Sequence, residues 1–488
     1  MRAAIPIVGQ IDVFVSQAER AELECLARKQ VAEKPDLFSI AHFGPRLRTG
    51  VEPGPALLIE DRSELALSGT PEGWPFEYRL ALLADGNDML VLSGGQCRDF
   101  ETYLTALLGI GRLDVVIAKN PNLGKKYPMP RRCIDQADVL RHIVAVARGA
   151  GRLSIVPYVA TGHVWNLARR IAEASGVSIL VAAPPPRLSR WVNDKLWFAA
   201  RVRELFGQEA HSPSCSAFGP VALAARVRDL SLCSQRVVIK VPDSSGSAGN
   251  LVLACEDLRE AHLPALRSRL IRLLKSFGSG WHFPLMAEVW ESPIVSSPSV
   301  QVWIPNREEG LPIVEGLFEQ IVEGEEGEFV GAARAHLPSE WGERLARQAT
   351  CLAILFQELG YFGRCSFDCV IAGNNYGTAK LHWIECNGRW GGVSIPMTFA
   401  NRLGATVSKS EIVIVQRSRF EVPRRPIRDV LSLFADMLFT PGEAAEGIIP
   451  LTPAGFERGT GVHFMTIAGS SDRAKDIAKV ALERIAGN

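Results

Sequence analysis

The residues best suited to chemistry lie in two neighbouring segments whose pattern predicts the strands of a β-hairpin. The segments are Gly363–Ile371 and Lys380–Arg389, and Asn374–Gly377 between them has the composition of a turn. Side chains alternate between the two faces of a strand, so every second residue shares a face. The polar residues that share a face are Arg364, Ser366 and Asp368 on the first strand and Glu385, Asn387 and Arg389 on the second.

Three of these side chains offer oxygen atoms of the kind that bind magnesium. Mg²⁺ in nucleotide enzymes takes one or two carboxylates together with phosphate oxygens. The predicted metal ligands are therefore Asp368, Glu385 and Asn387, with Mg²⁺ expected and Mn²⁺ as the alternative. Arg389, one step further on, could neutralise a phosphate or a tetrahedral oxyanion.

A second group of residues could bind phosphate. The predicted strand Val237–Lys240 is followed by Pro242–Gly249, whose serines and glycines can bring backbone N–H groups close to phosphate oxygens. No GK[ST] follows, so this is not a Walker A loop, and a hairpin turn explains it equally well. Lys240 closes the strand, and Asn193–Lys195 opens a predicted helix with Lys195 as a second cation.

The apolar segment Pro284–Glu291 ends in acidic residues. Such segments commonly hold adenine through backbone groups and apolar side chains, and ordinary strand-end acids are the alternative.

Strands and helices alternate through the first ~185 residues, which predicts a parallel sheet with crossover helices. The predicted strands are Ala56–Ile59, Met89–Leu92, Asp114–Ala118, Ser154–Tyr158 and Val177–Ala182, and the predicted helices are Asp99–Leu108, Cys133–Val146 and Val164–Ser175. Gly94-Gly95 after a strand suits either an anion site or a tight turn. Pro184–Pro186 marks a domain boundary, because three prolines cannot continue a helix or a central strand.

Composition excludes several classes of protein. The 488 residues are 47% hydrophobic and 22% charged, and a net charge of +1 provides no global basic field for nucleic acid. No apolar run approaches the ~20 residues of a membrane helix, and no signal peptide is expected, so the expected location is the cytoplasm. Ten cysteines are too few for a disulfide scaffold, and no CxxC or HExxH occurs. The hairpin cysteines fall on the faces opposite the carboxylates and are expected to pack in the core; they are Cys365, Cys369 and Cys386.

These features, in this order and at these separations, resemble the ATP-grasp superfamily over about residues 187–410. The specific part of the resemblance is Asp368 followed by Glu385-x-Asn387-x-Arg389. It implies an α/β and α+β multidomain protein with an N-terminal parallel-sheet pre-ATP-grasp domain (1–185), a two-subdomain ATP-grasp region (186–410) and a C-terminal segment (411–488) completing the core. Enzymes of this superfamily bind ATP between the subdomains and phosphorylate a carboxylate, and an amine then attacks the acylphosphate.

The resemblance also implies a role for each matching residue. Asp368, Glu385 and Asn387 resemble the magnesium ligands, and Arg389 and Lys240 the catalytic cations. The implied ATP-binding residues are Lys195, Lys240, Ser244, Ser245, Gly246, Ser247, Gly249, Glu288, Val289, Trp290 and Glu291.

A narrower similarity is to peptide ligases of the pheganomycin-ligase type, which assemble peptide natural products. It is carried by Gly94-Gly95, by Ser297–Gln301 and by the C-terminal tail.

Two positions depart from the pattern of the ATP-grasp superfamily. Ser296–Ser299 stands where many members have a ribose-binding acid, which leaves Glu291 as the substitute. Arg364 lies two residues before the position where ligases of the D-alanine type have an arginine, so Arg364 and Arg389 are both candidates to meet the acylphosphate.

The leading hypothesis is an ATP-dependent carboxylate–amine ligase that forms an amide or peptide bond and releases ADP and phosphate. The alternatives are a phosphotransferase on the same fold and a nucleotide-binding module without turnover. The expected partners are ATP, a carboxylate substrate and an amine substrate, without nucleic acid or membrane, and a homodimer is left open. The identity of the substrates is expected to depend on where the N-terminal domain faces the hairpin.

Overall fold

The computed structural model describes residues 11, 13–35, 43–65, 67–68, 76–121, 127–245, 249–276, 281–325, 327–404 and 410–487. The strands, numbered in chain order, are β1 Leu47–Thr49, β2 Ala56–Ile59, β3 Leu67–Ser68, β4 Met89–Leu92, β5 Asp114–Ile117, β6 Leu153–Pro157, β7 Ile179–Val181, β8 Ser214–Ala217, β9 Arg236–Lys240, β10 Ser244–Ser245, β11 Asn250–Ala254, β12 Leu285–Val289, β13 Ile294–Ser296, β14 Pro298–Ile304, β15 Ile313–Glu323, β16 Glu328–Arg334, β17 Gly363–Ala372, β18 Lys380–Asn387, β19 Glu411–Glu421, β20 Gly447–Pro450 and β21 Thr460–Ala468.

The helices are α1 Gln17–Glu33, α2 Arg98–Ala106, α3 Met129–Asp135, α4 Ala137–Ala150, α5 Gly162–Ser175, α6 Pro186–Val192, α7 Lys195–Phe206, α8 Pro220–Ser231, α9 Glu256–Arg259, α10 Leu263–Ser276, α11 Ser339–Glu358, α12 Ser394–Arg402, α13 Ile427–Leu433, α14 Ala454–Arg458 and α15 Ser471–Ala486. Short 3₁₀ helices cover Phe76–Leu83, Gln208–Ala210 and Arg307–Glu309. None of the helices in the described part of the chain combines the length and apolar character needed to cross a lipid bilayer.

The first sheet has six parallel strands in the order β1-β7-β6-β2-β4-β5, connected by α2 to α5. This confirms the predicted parallel sheet with crossover helices. The single helix expected over Cys133–Val146 is instead two, α3 and α4, because Gln136 between them has an extended backbone (φ −94°, ψ 102°). The chain runs from β2 outward to β4 and β5 and then returns to the other side of β2. The crevice between β2 and β6 is therefore the switch point of the sheet, where open parallel sheets bind ligands.

The second sheet has four antiparallel strands in the order β11-β9-β12-β8. It follows the predicted break at Pro184–Pro186. Pro186 occupies the first turn of α6, where a missing N–H costs no helical hydrogen bond. Asp194 caps α7 by accepting hydrogen bonds from the N–H groups of Leu196 and Trp197, so the predicted helix start is correct.

The third sheet has nine strands, and β19 to β21 from the last eighty residues are part of it. Its order is β13-β17-β14-β15-β16-β19-β21-β20, with β18 paired to β17. The predicted hairpin is thus formed by β17 and β18. Arg389 lies just beyond the end of β18 rather than within it.

An aromatic core fixes α7 against this hairpin. Phe198 of α7 stacks on Phe367 of β17, with ring centroids 6.0 Å apart, and Phe367 meets Trp383 of β18 edge-on at 6.2 Å. All three side chains are fully buried, and each such burial contributes roughly 1.5–3 kcal/mol. The three hairpin cysteines are at most 4% exposed, as expected for core residues. The helix that begins at Lys195 is therefore packed rigidly against the strands that carry the carboxylates.

Candidate nucleotide and metal site

The hairpin places the two predicted carboxylates directly opposite each other. Asp368 pairs with Glu385, and Ser366 pairs with Asn387. The register shifts immediately beyond the Asp368–Glu385 pair, which leaves Ile384 as the extra residue of a β-bulge. Ile384 and Glu385 both line the nucleotide cavity described below, as do Cys369 and Val370 of the opposite strand.

Asp368 is held by a short network of polar side chains. Ser299 Oγ donates to Asp368 Oδ1 at 2.6 Å, and Asn387 Nδ2 donates to Oδ2 at 2.8 Å. Gln301 Nε2 in turn donates to Ser299 Oγ at 2.9 Å. Burial, and then the negative charge of Glu385, raise the pKa of Asp368 to about 7. Two buried carboxylates this close repel each other, and a divalent cation between them would relieve that repulsion.

Glu385 is paired with a buried lysine. Lys195 Nζ lies 2.9 Å from Glu385 Oε2 and also donates to the carbonyl oxygen of Ser244 at 3.0 Å. Burial on its own would raise the pKa of Glu385, but the charges of Lys195, Lys240 and Arg389 outweigh it and lower that pKa. Glu385 is therefore a carboxylate at neutral pH, and Lys195 joins α7, the hairpin and the serine loop.

Arg389 is oriented by two amide oxygens. Its Nη2 donates to Asn387 Oδ1 at 2.5 Å and its Nη1 donates to Asn193 Oδ1. Asn193 Oδ1 also accepts from the N–H of Gly388 at 3.1 Å. Position 388 requires glycine, because a Cβ there would lie 2.4 Å from Val192 Cγ2. Amide oxygens are neutral, so they fix the guanidinium without cancelling its positive charge.

The second predicted lysine is also paired with a carboxylate. Lys240 Nζ, at the end of β9, lies 2.9 Å from Glu288 Oε2 on the neighbouring strand β12. Both side chains are at most 6% exposed. Breaking such a buried pair by removing one partner leaves an uncompensated charge, so the two are expected to act together.

The serine loop connects β9 to its antiparallel partner β11, so it is the turn of a hairpin as well as the predicted phosphate loop. Ser244 and Ser245 pair in parallel with Leu67–Ser68 of the N-terminal region. The predicted ATP-binding residues Gly246 and Ser247 lie outside the described residues. Gly249 accepts a hydrogen bond from the N–H of Val241 at 2.9 Å.

Eight of the predicted nucleotide residues line a cavity of about 180 Å³, here called the nucleotide cavity, and Gly249 is not part of its lining. Its lining includes Lys195, Lys240, Ser244, Ser245, Glu288, Val289, Trp290, Glu291, Gln320, Asp368, Ile384 and Glu385. The N–H groups of Val289 and Trp290 already donate to Pro213 and Arg236. The segment predicted to hold adenine therefore offers a ligand its side chains and carbonyl groups rather than these two N–H groups.

His382 of the hairpin is hydrogen-bonded to Glu291, the last residue of the segment predicted to hold adenine. His382 Nδ1 lies 2.7 Å from Glu291 Oε1. Burial on its own would raise the pKa of Glu291, but the hydrogen bond to His382, together with smaller contributions from the charge of His382, from Ser212 and from His211, outweighs it and lowers that pKa. Ser212 Oγ meets the same ring nitrogen at 3.4 Å, so the three side chains do not form a nucleophile–base relay. Glu291 is thereby kept ionised at the rim of the nucleotide cavity.

A second cavity, of about 210 Å³, adjoins the first and is here called the crevice cavity. The N-terminal region contributes Arg62, Leu65, Arg79 and Tyr158 to its lining, from loops and from the 3₁₀ helix Phe76–Leu83. The rest of the lining includes Ser245, Ser299, Gln301, Gln320, Glu328, Ser366, Asp368, Glu385, Asn387, Arg389, Gly392 and Gln416. Asp368 and Glu385 line both cavities. The carboxylate pair therefore stands at the boundary between them.

The two candidate arginines have different surroundings. Arg364 forms a buried ion pair with Glu315, and its guanidinium lies 5.2 and 5.0 Å from the ring centroids of Trp303 and Trp390. It lines neither cavity, whereas Arg389 lines the crevice cavity. Arg364 is thus a core residue, and of these two arginines it is Arg389 that could contact a ligand in the crevice cavity.

The donors fit a hard cation that takes its other ligands from phosphate and water. Across the described ranges, no group of three or more His, Cys, Asp or Glu side chains is arranged to hold a metal ion. The hairpin instead offers two carboxylates and the carbonyl oxygen of Asn387, whose second lone pair remains beside its bond to Arg389. Mg²⁺ uses few protein ligands of this kind when nucleotide phosphates supply the rest.

Sequence reasoning missed three positioning residues. Ser299 and Asn193 stand in segments that the motifs already marked, and Ser299 with Gln301 shows the two-residue spacing of one strand face. His382 carried no signal, because its partner Glu291 is 91 residues away in the chain.

Comparison with known proteins supports this architecture. Residues 77–173 match the family model described as the Pre ATP-grasp domain. No curated protein matches the chain. The pre-ATP-grasp domain so defined contains β4 to β6 and Arg79 and Tyr158 of the crevice cavity.

Three solved structures share the fold over most of their length. The biotin carboxylase domain of Hydrogenobacter thermophilus 2-oxoglutarate carboxylase, in complex with MgADP, ADP and bicarbonate, is 13% identical with a TM-score of 0.54, covering 88% of this chain and 89% of that one. Campylobacter jejuni biotin carboxylase with β,γ-ATP is 12% identical (TM-score 0.52; 91% and 92% covered). Staphylococcus aureus N5-carboxyaminoimidazole synthetase with ADP is 11% identical (TM-score 0.50; 90% and 99% covered). The chain therefore has a pre-ATP-grasp domain followed by an ATP-grasp fold.

Proposed function

We propose that the protein is an ATP-dependent carboxylate–amine ligase that works through an acylphosphate and releases ADP and inorganic phosphate. The observation that carries the proposal is the position of Asp368 and Glu385 between two cavities. One cavity has the lysines and the serine loop suited to phosphates, and the other has Arg389. A γ-phosphate and an acceptor group would meet at this boundary.

On the nucleotide side, Lys195 and Lys240 contact the phosphates, and Glu291 meets the ribose hydroxyls. Asp368, Glu385 and Asn387 would hold Mg²⁺, which would supply positive charge next to the ATP phosphates. Solved structures of the same fold contain ADP, MgADP or an ATP analogue, which supports this assignment. For this contact, Lys195 and Lys240 must exchange their carboxylate partners Glu385 and Glu288 for phosphate oxygens.

The reaction proceeds in two displacements. A substrate carboxylate oxygen attacks the γ-phosphorus while the bond to the β–γ bridging oxygen breaks, which gives the acylphosphate and ADP. The amine nitrogen then attacks the acyl carbon, the bond from that carbon to the phosphate oxygen breaks, and the nitrogen loses a proton. Arg389 lies where charge builds on the transferring oxygens and on the tetrahedral intermediate.

The same proposal includes the domain limits 1–185, 186–410 and 411–488. It also includes a peptide or an amino acid as the substrate. The narrower peptide-ligase assignment rests on the sequence resemblance, since the named structural neighbours are carboxylases and an N5-carboxyaminoimidazole synthetase.

The test is a product analysis with ATP, Mg²⁺, a pool of carboxylic acids and hydroxylamine, which traps acylphosphates as hydroxamates. ADP and hydroxamate in equal amounts are expected. AMP and pyrophosphate would overturn the acylphosphate route. A stable phosphorylated product that hydroxylamine does not trap would favour a phosphotransferase, and nucleotide binding without turnover would favour a binding module.

A further inference from the structure

The crevice cavity lies at the switch point of the N-terminal sheet. Arg62 follows β2 and Tyr158 follows β6, the two strands that flank the reversal of chain direction. Ligands of open parallel sheets bind outside the carboxyl ends of the strands at this point. Here that edge faces Asp368 and Arg389, so a ligand in the crevice would touch both halves of the molecule.

The crevice also concentrates cations. Arg62, Arg79 and Arg389 all line it. The acids on its lining are Glu328 and the predicted metal ligands Asp368 and Glu385, whose charge a bound cation would offset. With a cation bound by Asp368 and Glu385, the three arginines would outnumber Glu328, the one acid of this lining that is left.

Arg79 contacts side chains on both sides of the crevice. Its Nη1 donates to Gln416 Oε1 at 3.4 Å, and its guanidinium lies 5.5 Å from the ring centroid of Tyr158. His463 lies nearby, and its burial, followed by the charge of Arg79, keeps its pKa well below the usual range, so that it is neutral. Arg62 is more restrained, since its Nε lies 2.7 Å from Glu60 Oε1.

We propose that the phosphoryl-accepting substrate carries a second anionic group, which Arg79 and Arg62 bind while Arg389 faces the reacting carboxylate. This inference rests on the proposed ligase function and narrows its substrate to a compact diacid or a related dianion. The cavity volume corresponds to roughly seven water molecules, more than a single carboxylate requires. Guanidinium groups suit the second anion because they bind carboxylates through paired N–H donors.

The experiment compares acids that differ only in the second anionic group. Hydroxamate formation by the protein with ATP, Mg²⁺ and hydroxylamine is measured for three matched pairs of acids. The pairs are succinate and butyrate, glutarate and valerate, and L-glutamate and 4-aminobutyrate. The kcat/KM for hydroxamate formation should favour at least one diacid over its matched monoacid by on the order of 10- to 100-fold, the range expected for one or two charge-assisted hydrogen bonds.

Arginine variants then show which side chains cause the preference for a diacid over its matched monoacid. Arg79→Met should reduce the diacid-to-monoacid ratio toward one, and Arg79→Lys should restore part of it. Arg62→Met provides an independent measurement in case the buried Arg79 variant does not fold. Arg98→Met is the matched control, because Arg98 is an exposed arginine of the same domain that lines a separate cavity. A general structural defect would lower the rates for both acids and leave the ratio unchanged.

The outcomes separate this inference from the function on which it rests. If monoacids and diacids gave hydroxamate at equal kcat/KM, the proposal of a second anionic group on the substrate would be wrong, and the ligase function would be unaffected. A preference that survives both Arg79→Met and Arg62→Met would also overturn that proposal. Failure of every acid to give ADP and hydroxamate would overturn the ligase proposal itself, and this inference with it.

Discussion

At the boundary formed by Asp368 and Glu385, the lysines of the nucleotide cavity and Arg389 of the crevice cavity are oriented by different means. In the nucleotide cavity, Lys195 and Lys240 are each 2.9 Å from a carboxylate. In the crevice cavity, Arg389 is held by the amide oxygens of Asn193 and Asn387. A carboxylate partner neutralises a cation until another anion or a metal displaces it, whereas an amide partner aligns the cation and leaves its field available.

In the proposed ligase, this difference would allow one protein to bind ATP and also to stabilise a developing charge. In this proposal the lysines are exchangeable, because phosphate oxygens could replace their carboxylate partners Glu385 and Glu288. The arginine is pre-oriented, so little reorganisation is needed in the transition state. Arg364 shows the opposite case: its pairing with Glu315 removes it from the reaction.

The largest effect is expected at the boundary residue. Glu385→Gln keeps the side-chain shape and an acceptor for Lys195 but removes a metal ligand and the charge that balances the lysine. The kcat for ADP formation should fall by on the order of 10³-fold with little loss of fold, since several kcal/mol of charge stabilisation depend on the metal. The exposed Glu323→Gln on the same sheet is the control. Wild-type turnover of Glu385→Gln at saturating Mg²⁺ would disprove the metal assignment.

A pair of arginine variants distinguishes catalytic charge from core charge. Arg389→Met should lower kcat by about 10²–10³-fold with a nearly unchanged Tm, as expected for loss of one preorganised donor group. Arg364→Met should lower the free energy of unfolding by about 3–5 kcal/mol, because it leaves Glu315 buried without its partner. Thermal unfolding and steady-state kinetics on both variants give the answer. The reverse pattern would show that the arginine roles are exchanged.

The free energy of unfolding is expected to depend on pH through the buried carboxyl group of Glu77. Burial, and then the charge of Glu60, raise the pKa of Glu77 to about 7. A raised acid pKa favours the protonated form in the folded state, so stability is retained at low pH and falls as the pH rises from about 4.5 through 7. Glu77→Gln should therefore stabilise the protein at pH 8, by at most about 3 kcal/mol, and have little effect at pH 4.5. Denaturant unfolding at both values tests this, with the exposed Glu173→Gln as control. An equal effect at both pH values would contradict the raised pKa.

The smallest of these effects concerns nucleotide affinity. Lys240→Ala should weaken ATP binding by about 1.5–3 kcal/mol, the cost of a lost charge-assisted contact. Lys275→Ala, an exposed lysine on α10, is the matched control, and calorimetry with ATP and Mg²⁺ is the measurement. Unchanged affinity in Lys240→Ala and in Lys195→Ala would remove both lysines from the phosphate site.

Much of the local structure around the candidate site could be predicted from the sequence because it depends on local periodicity. The alternation of a strand and the turn at Asn374–Gly377 indicate which residues of the hairpin share a face. The alternating strands and helices before Pro184 indicate a parallel sheet. Asp194 before Lys195 marks a helix start, since an N-cap acts on the next few N–H groups. Each of these inferences requires only neighbours within one or two elements.

Tertiary structure decided the rest, because it depends on contacts between distant parts of the chain. The bulge at Ile384 breaks the alternation that the sequence suggested. Arg364 and Arg389 are indistinguishable as sequence, and only their partners Glu315 and Asn193 separate them. The crevice cavity brings Arg79 beside Gln416, 337 residues later in the chain. No local pattern encodes such an approach, since it follows from how whole sheets pack against one another.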